Sequence, residues 1–166
     1  MEHNPYAPPK AGVADTKRAG PSEVSPAALV YSTNQIATAA VLGTVLAGGW
    51  LLATNYRVMG QEDHSRLAIG WSMFGFVALV GVIIVLPGSL TDFGVTLASG
   101  VACAVALRAL AEAQFGKMLE QHRTAGGTQH SWGRVVGLGL LFSAILFAVE
   151  FLARAVLYGF GIIIDD

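Results

Sequence analysis

The chain has 166 residues, of which 54% are apolar and 13% are charged, and its formal net charge is −1. Average soluble proteins have roughly 45–50% apolar and 25% charged residues, so this composition, with a mean hydropathy of +0.58, indicates an integral membrane protein. The ten basic residues are spread along the chain, with only Lys17 and Arg18 adjacent, so we do not expect a basic surface for nucleic acid. The lone Cys103 lies in an apolar run, and we interpret it as a core residue because a reactive thiol needs polar partners.

The first segment, residues 1–31, contains five of the six prolines of the chain. Proline fixes φ and has no backbone N–H, so this segment is predicted to be a disordered or extended N-terminal arm. It lacks the apolar run behind a basic start that a cleavable signal peptide would have. The predicted transmembrane domain is the remainder, residues 32–166.

The spacing of charges predicts the first two spans. A helix needs about 20 mainly apolar residues to cross a hydrocarbon core of roughly 30 Å. Residues 24–56 and 67–91 carry no charge, so both stretches are long enough. We predict spans over about 34–54 and 67–86, the second ended by the turn-forming Pro87-Gly88.

Two further uncharged stretches are shorter. Residues 93–107 and 135–149 would each make only about 22 Å of helix. We therefore predict spans over about 92–112 and 133–157 that include charged residues, with re-entrant segments as the alternative for these two stretches. The helix of the third span is expected to continue, amphipathic, beyond the membrane surface. The chain is thus predicted to be all-α, with four transmembrane helices in a bundle.

Small residues recur at intervals of four on two predicted helices, where backbones could approach closely. They are Gly94, Ala98, Ala102 and Ala106 on the third helix and Ala39, Gly43 and Ala47 on the first. Packing within the four-helix bundle explains both stripes, and a homo-oligomer interface is the alternative.

Glu150 and Arg154 are charges within or near the last predicted span. An isolated charge at the bilayer centre costs about 2.5–3.5 kcal/mol on insertion scales, so such residues are expected to be paired, interfacial or functional. Glu before Arg at a spacing of four is the favourable order for an ion pair along one helix. We predict a structural pair near the outer membrane face, where Arg154 could also reach Asp92; a proton or substrate relay is the alternative.

The distribution of Lys and Arg predicts the orientation. Six of them flank or lie in the loops after the first and third predicted helices: Arg57, Arg66, Arg108, Lys117, Arg123 and Arg134. We expect these two loops to be cytoplasmic and both termini to lie outside, in the inner membrane of a bacterium.

Polar residues in the two basic loops could in principle assemble a metal site. They are Glu62, Asp63, His64, His122 and His130. Their spacing matches no metal-ligand motif, so we interpret them as solvated loop residues and expect no metal or cofactor. Nucleotide-binding and hydrolase motifs are absent from the sequence, and we do not expect an enzyme.

Three parts of the chain resemble a family of small bacterial inner-membrane proteins with no established activity. They are the arm Asn4-Pro5-Tyr6-Ala7-Pro8-Pro9, the first helix with Tyr31-Ser32 and Leu46 to Arg57, and the loop with His122, Gly126-Gly127 and Ser131-Trp132. Where a proline often follows the first glycine of the first helix in that family, this chain has Gly43-Thr44-Val45. The resemblance implies a four-helix protein of the bacterial inner membrane and no particular activity.

The features that stand out concern packing and termini. The sequence therefore favours a non-enzymatic scaffold or accessory subunit of a membrane complex, in contact with the lipid bilayer and with a membrane protein partner or further copies of itself. The alternative is a small oligomeric transporter or proton-coupled exporter that uses Glu150.

Overall fold

A computed structural model describes residues 27–85 and 93–160 of the chain. It contains the helices α1 (Thr33–Val58), α2 (Glu62–Val85), α3 (Phe93–Thr124) and α4 (Trp132–Gly159). Within these residues, the prediction of an all-helical fold with four helices is confirmed. Three of them, α1, α2 and α4, are long and apolar enough to cross a membrane. Most of the N-terminal arm, Asp92 and the C-terminal residues 161–166 lie outside the described residues.

Helix α1 is folded in two at Gly43 and Thr44. Their backbone angles are not helical, with φ −120° and ψ 22° at Gly43 and φ 63° and ψ −170° at Thr44. The arms on either side, residues 33–42 and 45–58, are about 15 Å and about 21 Å long. The arms pack against each other, since a Cβ placed on Gly48 would lie 2.8 Å from that of Ala40. Helix α1 is therefore a helical hairpin, with its tip at Gly43 and Thr44.

The two ends of α1 meet at the same end of the molecule, which we call the hairpin mouth. Tyr31, just before the first arm, is hydrogen-bonded to Asn55, near the end of the second arm. The predicted span over 34–54 is thus helical but does not run as one straight rod. Hydropathy could not reveal this, because both arms are equally apolar and only the backbone at the tip reverses the chain.

The hairpin is the centre of the fold, and α2, α3 and α4 each pack against it. Its arms are rich in small buried residues such as Ala39 and Ala47, which let the neighbouring backbones approach. The hydrophobic core cluster includes Ile36, Leu51, Leu52, Tyr56, Ala111, Phe115 and Val135. Helices α2 and α4 touch at only a few residues, and α3 barely touches either within the described residues.

The hairpin ends part of the way along α2 and α4. Its tip lies beside Gly139 of α4, where an added Cβ would be 2.8 Å from Leu42 Cβ. On α2, Gly75 faces Val45, the first residue of the second arm. Residues 76–85 of α2 extend about 15 Å beyond that level. The hairpin therefore packs against only part of the length of α2 and of α4.

The segment that enters α1 lies against the loop between α3 and α4. Val30 forms an isolated parallel bridge with Gln129, and the His130 N–H donates to the Val30 carbonyl at 3.1 Å. The sequence analysis expected the N-terminal arm and this loop on opposite faces of the membrane. The contact instead places Val30, close to the start of α1, and His130 at the same end of the molecule.

Helix α3 extends well beyond its predicted span. It continues to Thr124, with Met118 and Leu119 packed against the core, as the amphipathic pattern predicts. The helix is followed by Gly126, whose φ of 77° lies in the left-handed region that glycine adopts without a Cβ clash. Gly127 then lies against the His122 ring, where an added Cβ would be 2.3 Å from Nε2, and the chain continues to α4.

Candidate functional site

The hairpin mouth is fastened by Asn55, which is fully buried. Its Oδ1 accepts the Tyr31 N–H at 2.8 Å, and its Nδ2 donates to the Tyr31 carbonyl at 2.7 Å. The Asn55 side chain thus forms the two backbone hydrogen bonds with Tyr31 that a neighbouring β-strand would form in a sheet. Buried backbone groups need hydrogen-bond partners. Asn55 provides them for Tyr31 at the point where the chain enters the hairpin.

Gln35 connects the hairpin to α4. Its Oε1 accepts the Ser32 N–H at 2.9 Å, and the Ser32 hydroxyl accepts the Gln35 N–H at 3.2 Å, which together form a capping box. Its Nε2 donates to the His130 carbonyl at 2.6 Å. The same side chain therefore begins α1 and holds the loop that precedes α4. Gln35 and Asn55 were not singled out from the sequence. The signal that could have identified them is that both amides lie near the ends of the long uncharged stretch 24–56.

Aromatic rings surround the mouth. Tyr31 stacks on His130 with ring centroids 4.1 Å apart, and Tyr56 meets Phe115 edge to face at 4.6 Å. His64 stacks on Tyr56 at 5.4 Å. Burial raises the pKa of Tyr31, an effect partly opposed by Arg134, and burial followed by Arg134 lowers the pKa of His130. Both rings are thus held in their neutral forms at neutral pH.

The hairpin tip contains an uncommon backbone conformation and an unpartnered hydroxyl. Thr44 has φ 63° and ψ −170°, a region that is essentially restricted to glycine. Its Oγ1 is buried and has no hydrogen-bond partner among the described residues. The carbonyl of Leu42, two residues before Thr44, accepts a hydrogen bond from the Ser143 hydroxyl of α4. A cavity of about 140 Å³ adjoins the tip, with Thr44, Ser99, Cys103 and Ser143 in its lining.

A second, larger space is an apolar groove between α2 and α4, with α1 as its floor. Its volume is about 310 Å³. Its walls are formed by Leu46, Trp50, Ser72, Phe76, Phe142 and Ile145. The Ser72 hydroxyl donates to the Ala68 carbonyl at 2.6 Å, so it does not make the groove polar. Arg57 lies above Trp50, with its guanidinium carbon 5.8 Å from the centre of the indole ring.

The predicted ion-pair residues are brought together on α4. Arg154 Nη2 lies 3.0 Å from Glu150 Oε1, and both side chains are partly covered by protein. Arg154 Nε is buried without a partner among the described residues. Asp92, the third residue of the predicted set, lies outside the described part of the chain.

The small residues divide between the two helices that carry them. Ala39, Gly43 and Ala47 on α1 are buried. On α3, Ala98, Ala102 and Ala106 are exposed, while Gly94 belongs to the first turn, whose surroundings are not described. Helix α3 uses Ala111 and Phe115 for the core instead. The exposed stripe is therefore available for contacts outside this chain.

The polar loop residues do not converge on a common point. His64, His122 and His130 each have separate neighbours, and His122 is held by the Thr128 carbonyl at 3.3 Å. Glu62 pairs with Arg66 at 3.7 Å on the exposed face of α2. Within residues 27–85 and 93–160, there is no group of three or more His, Cys, Asp and Glu side chains that could hold a metal ion.

Comparison with known proteins adds no relative. No protein-family model, no curated protein and no solved structure matches the chain. The resemblance to small bacterial inner-membrane proteins stays an expectation from the sequence. The function must therefore be inferred from the geometry.

Proposed function

We propose that the protein is a non-enzymatic integral membrane protein that acts as a scaffold or accessory subunit of a membrane complex in the bacterial inner membrane. The arrangement of α2, α3 and α4 carries this proposal: each packs on α1 and hardly on the others. Such an open bundle leaves long apolar faces uncovered, as on α4 at Phe147 and Phe151, which are 65% and 77% exposed. Helices of a partner would complete the packing that this chain leaves open.

The proposed topology has three spans, α2, α3 and α4, with α1 as a re-entrant hairpin. Each arm of α1 is shorter than the roughly 30 Å of a hydrocarbon core, and both arms end at the mouth. Non-helical backbone is tolerated at membrane depth where protein covers it, and Ser143 and Gly139 cover the tip. The basic loops at the mouth are cytoplasmic in this topology, together with the N-terminal arm.

Cysteine labelling tests the topology. In a Cys103→Ala background, single cysteines replace Ser25, Asp63, Thr128 or Ser89, and an impermeant maleimide is applied from one side. The re-entrant hairpin predicts that Ser25, Asp63 and Thr128 are labelled from the same face and Ser89 from the opposite face. If Ser25 is labelled together with Ser89, α1 crosses the membrane and the proposed topology is wrong.

Copurification after mild solubilisation tests the scaffold function. A defined membrane protein partner in stoichiometric amount is expected. The exposed stripe of α3 makes Ala102→Leu the informative variant, because a larger side chain would keep a partner helix away. Ala78→Leu is the matched control, since Ala78 is exposed on α2 between the large Phe74 and Val82. Recovery of the chain alone, under conditions that preserve known complexes, contradicts the proposal.

The hairpin tip favours a small transporter or proton-coupled exporter as the second candidate. Strained backbone is retained where the surrounding structure holds it, commonly at functional sites, and Thr44 combines strain with an unpartnered hydroxyl beside a cavity. Proton flux into liposomes separates the candidates. Transport at the tip predicts that Thr44→Val stops flux without unfolding, whereas a relay at Glu150 predicts this for Glu150→Gln. Absence of flux with the parent protein contradicts both forms of this candidate.

A further inference from the structure

The groove between α2 and α4 combines an apolar lining with a positive charge at one end. Its volume is about 310 Å³, and the side chains of Leu46, Phe76 and Ile145 are part of its walls. Apolar walls with a cation at one end match the two parts of an anionic lipid, the acyl chain and the head group.

The groove opens beside a cation at the end nearest the hairpin mouth. Arg57 is exposed at the end of α1 and lies over the ring of Trp50, which forms part of the wall. Among the described residues, no carboxylate lies within 4.0 Å of the Arg57 guanidinium. The contact with Trp50 positions the guanidinium and leaves its N–H donors free for an anion.

We propose that this groove binds one anionic phospholipid, with an acyl chain along Trp50 and Phe142 and the head-group phosphate on Arg57. Anionic lipids concentrate in the cytoplasmic leaflet, where basic residues between membrane helices attract their head groups. This inference requires that the chain is embedded in a bilayer. It does not depend on whether the protein acts as a scaffold or as a transporter.

The test uses fluorescence quenching of Trp50 by brominated lipids. The full-length protein with Trp71→Phe and Trp132→Phe is reconstituted into phosphatidylcholine vesicles. Equal mole fractions of chain-brominated phosphatidylglycerol or chain-brominated phosphatidylcholine are then included. We expect an apparent affinity for phosphatidylglycerol at Trp50 about fivefold higher than that for phosphatidylcholine, the increment of one basic residue near an anionic surface.

Two variants assign the selectivity to Arg57. Arg57→Gln should make the two brominated lipids equivalent at Trp50, and Arg57→Lys should retain most of the preference because the phosphate contact needs a cation. A protein whose only tryptophan is Trp71 is the matched control. Trp71 is exposed on α2 near Arg66, but the charge of Arg66 is compensated by Glu62 at 3.7 Å. Trp71 should therefore be quenched equally by both lipids.

Each other outcome overturns the proposal in a recognisable way. Equal quenching of Trp50 in the parent protein indicates ordinary contact with bulk lipid, and a preference that survives Arg57→Gln removes the role of Arg57. Quenching of Trp71 without quenching of Trp50 shows that protein, such as a second copy of the chain, covers the groove. Quenching of neither tryptophan shows that the chain is not embedded in the bilayer, a result that also overturns the proposed function.

Discussion

Asn55 binds both backbone groups of Tyr31, although 24 residues separate them along the chain. The pair joins the entrance of the hairpin to its exit and fixes the register of the two arms. In a straight helix of this length, the same residues would lie about 36 Å apart. The hydrogen bonds between Asn55 and Tyr31 can therefore form only when α1 is folded in two.

Asn55→Ala should destabilise the protein by roughly 2–4 kcal/mol, because the Tyr31 N–H and carbonyl would remain buried without partners. The measurement is thermal unfolding in mild detergent. Asn34→Ala is the matched control, since Asn34 is an exposed residue of the same helix and its loss should change stability by no more than about 0.5 kcal/mol. Equal effects of the two substitutions would show that the mouth does not depend on Asn55.

Gly43→Ala should destabilise the hairpin tip by about 1–3 kcal/mol. The added Cβ would lie 2.5 Å from the Gly139 carbonyl oxygen and 2.9 Å from its Cα, and main-chain atoms cannot rotate away as a side chain can. Gly137→Ala on α4 is the control, because an added Cβ meets nothing within 4 Å there. Replacing that helical glycine should raise stability by about 0.5–1 kcal/mol. A stable Gly43→Ala protein would mean that the tip does not contact α4.

The Glu150–Arg154 pair predicts an order of stabilities. Arg154→Gln should lower the unfolding temperature more than the double change Glu150→Gln with Arg154→Gln, because the single change leaves a partly buried carboxylate without its partner at 3.0 Å. The double variant leaves two neutral groups that cost less to bury. If Arg154→Gln and Glu150→Gln are both as stable as the parent, the pair has no structural role.

Stability should decrease as the pH falls below about 6.5, the usual pKa of histidine. The pKa of His130 is lowered in the folded protein by burial and by Arg134, so the unfolded chain binds this proton first. The loss continues until the pH passes the lowered folded-state pKa. His130→Phe keeps a ring on Tyr31 and removes the titration, so its unfolding temperature should fall less over the same pH range. Parallel pH profiles of the parent and His130→Phe would contradict this prediction.

The sequence predicted the helices that charge spacing and amphipathicity define. The Gly126-Gly127 turn after α3 and the apolar lengths of α2 and α4 depend on local composition, and the structure has them. The hairpin could not be predicted in the same way, because residues 24–56 satisfy the hydropathy of a span whether or not the chain reverses. The reversal depends on Thr44 adopting a positive φ and on α4 covering the tip, and both are tertiary effects.

The contacts of the candidate site were also predictable only where they are local in sequence. The order Glu150 then Arg154 at a spacing of four is local information, and it suffices to propose their contact. The partnership of Asn55 with Tyr31 and the position of Arg57 over Trp50 depend on how the arms meet and on which face of α1 remains open. Interval-of-four patterns also did not reveal which stripe would be buried: Ala47 is covered, whereas Ala102 is exposed.

The contact of the hairpin tip with α4 has a consequence for biogenesis. Leu42 and Gly43 rest against Gly139 and Ser143, which are synthesised about 100 residues later. At ~5–20 residues per second, the ribosome needs at least about 5 s to supply them, far longer than a helix takes to form. The tip of α1 therefore cannot form its contacts with α4 until α4 has been synthesised and inserted. Of the four described helices, the first to be made is thus the last to complete its packing, so truncation after α3 should expose α1 to quality-control proteases.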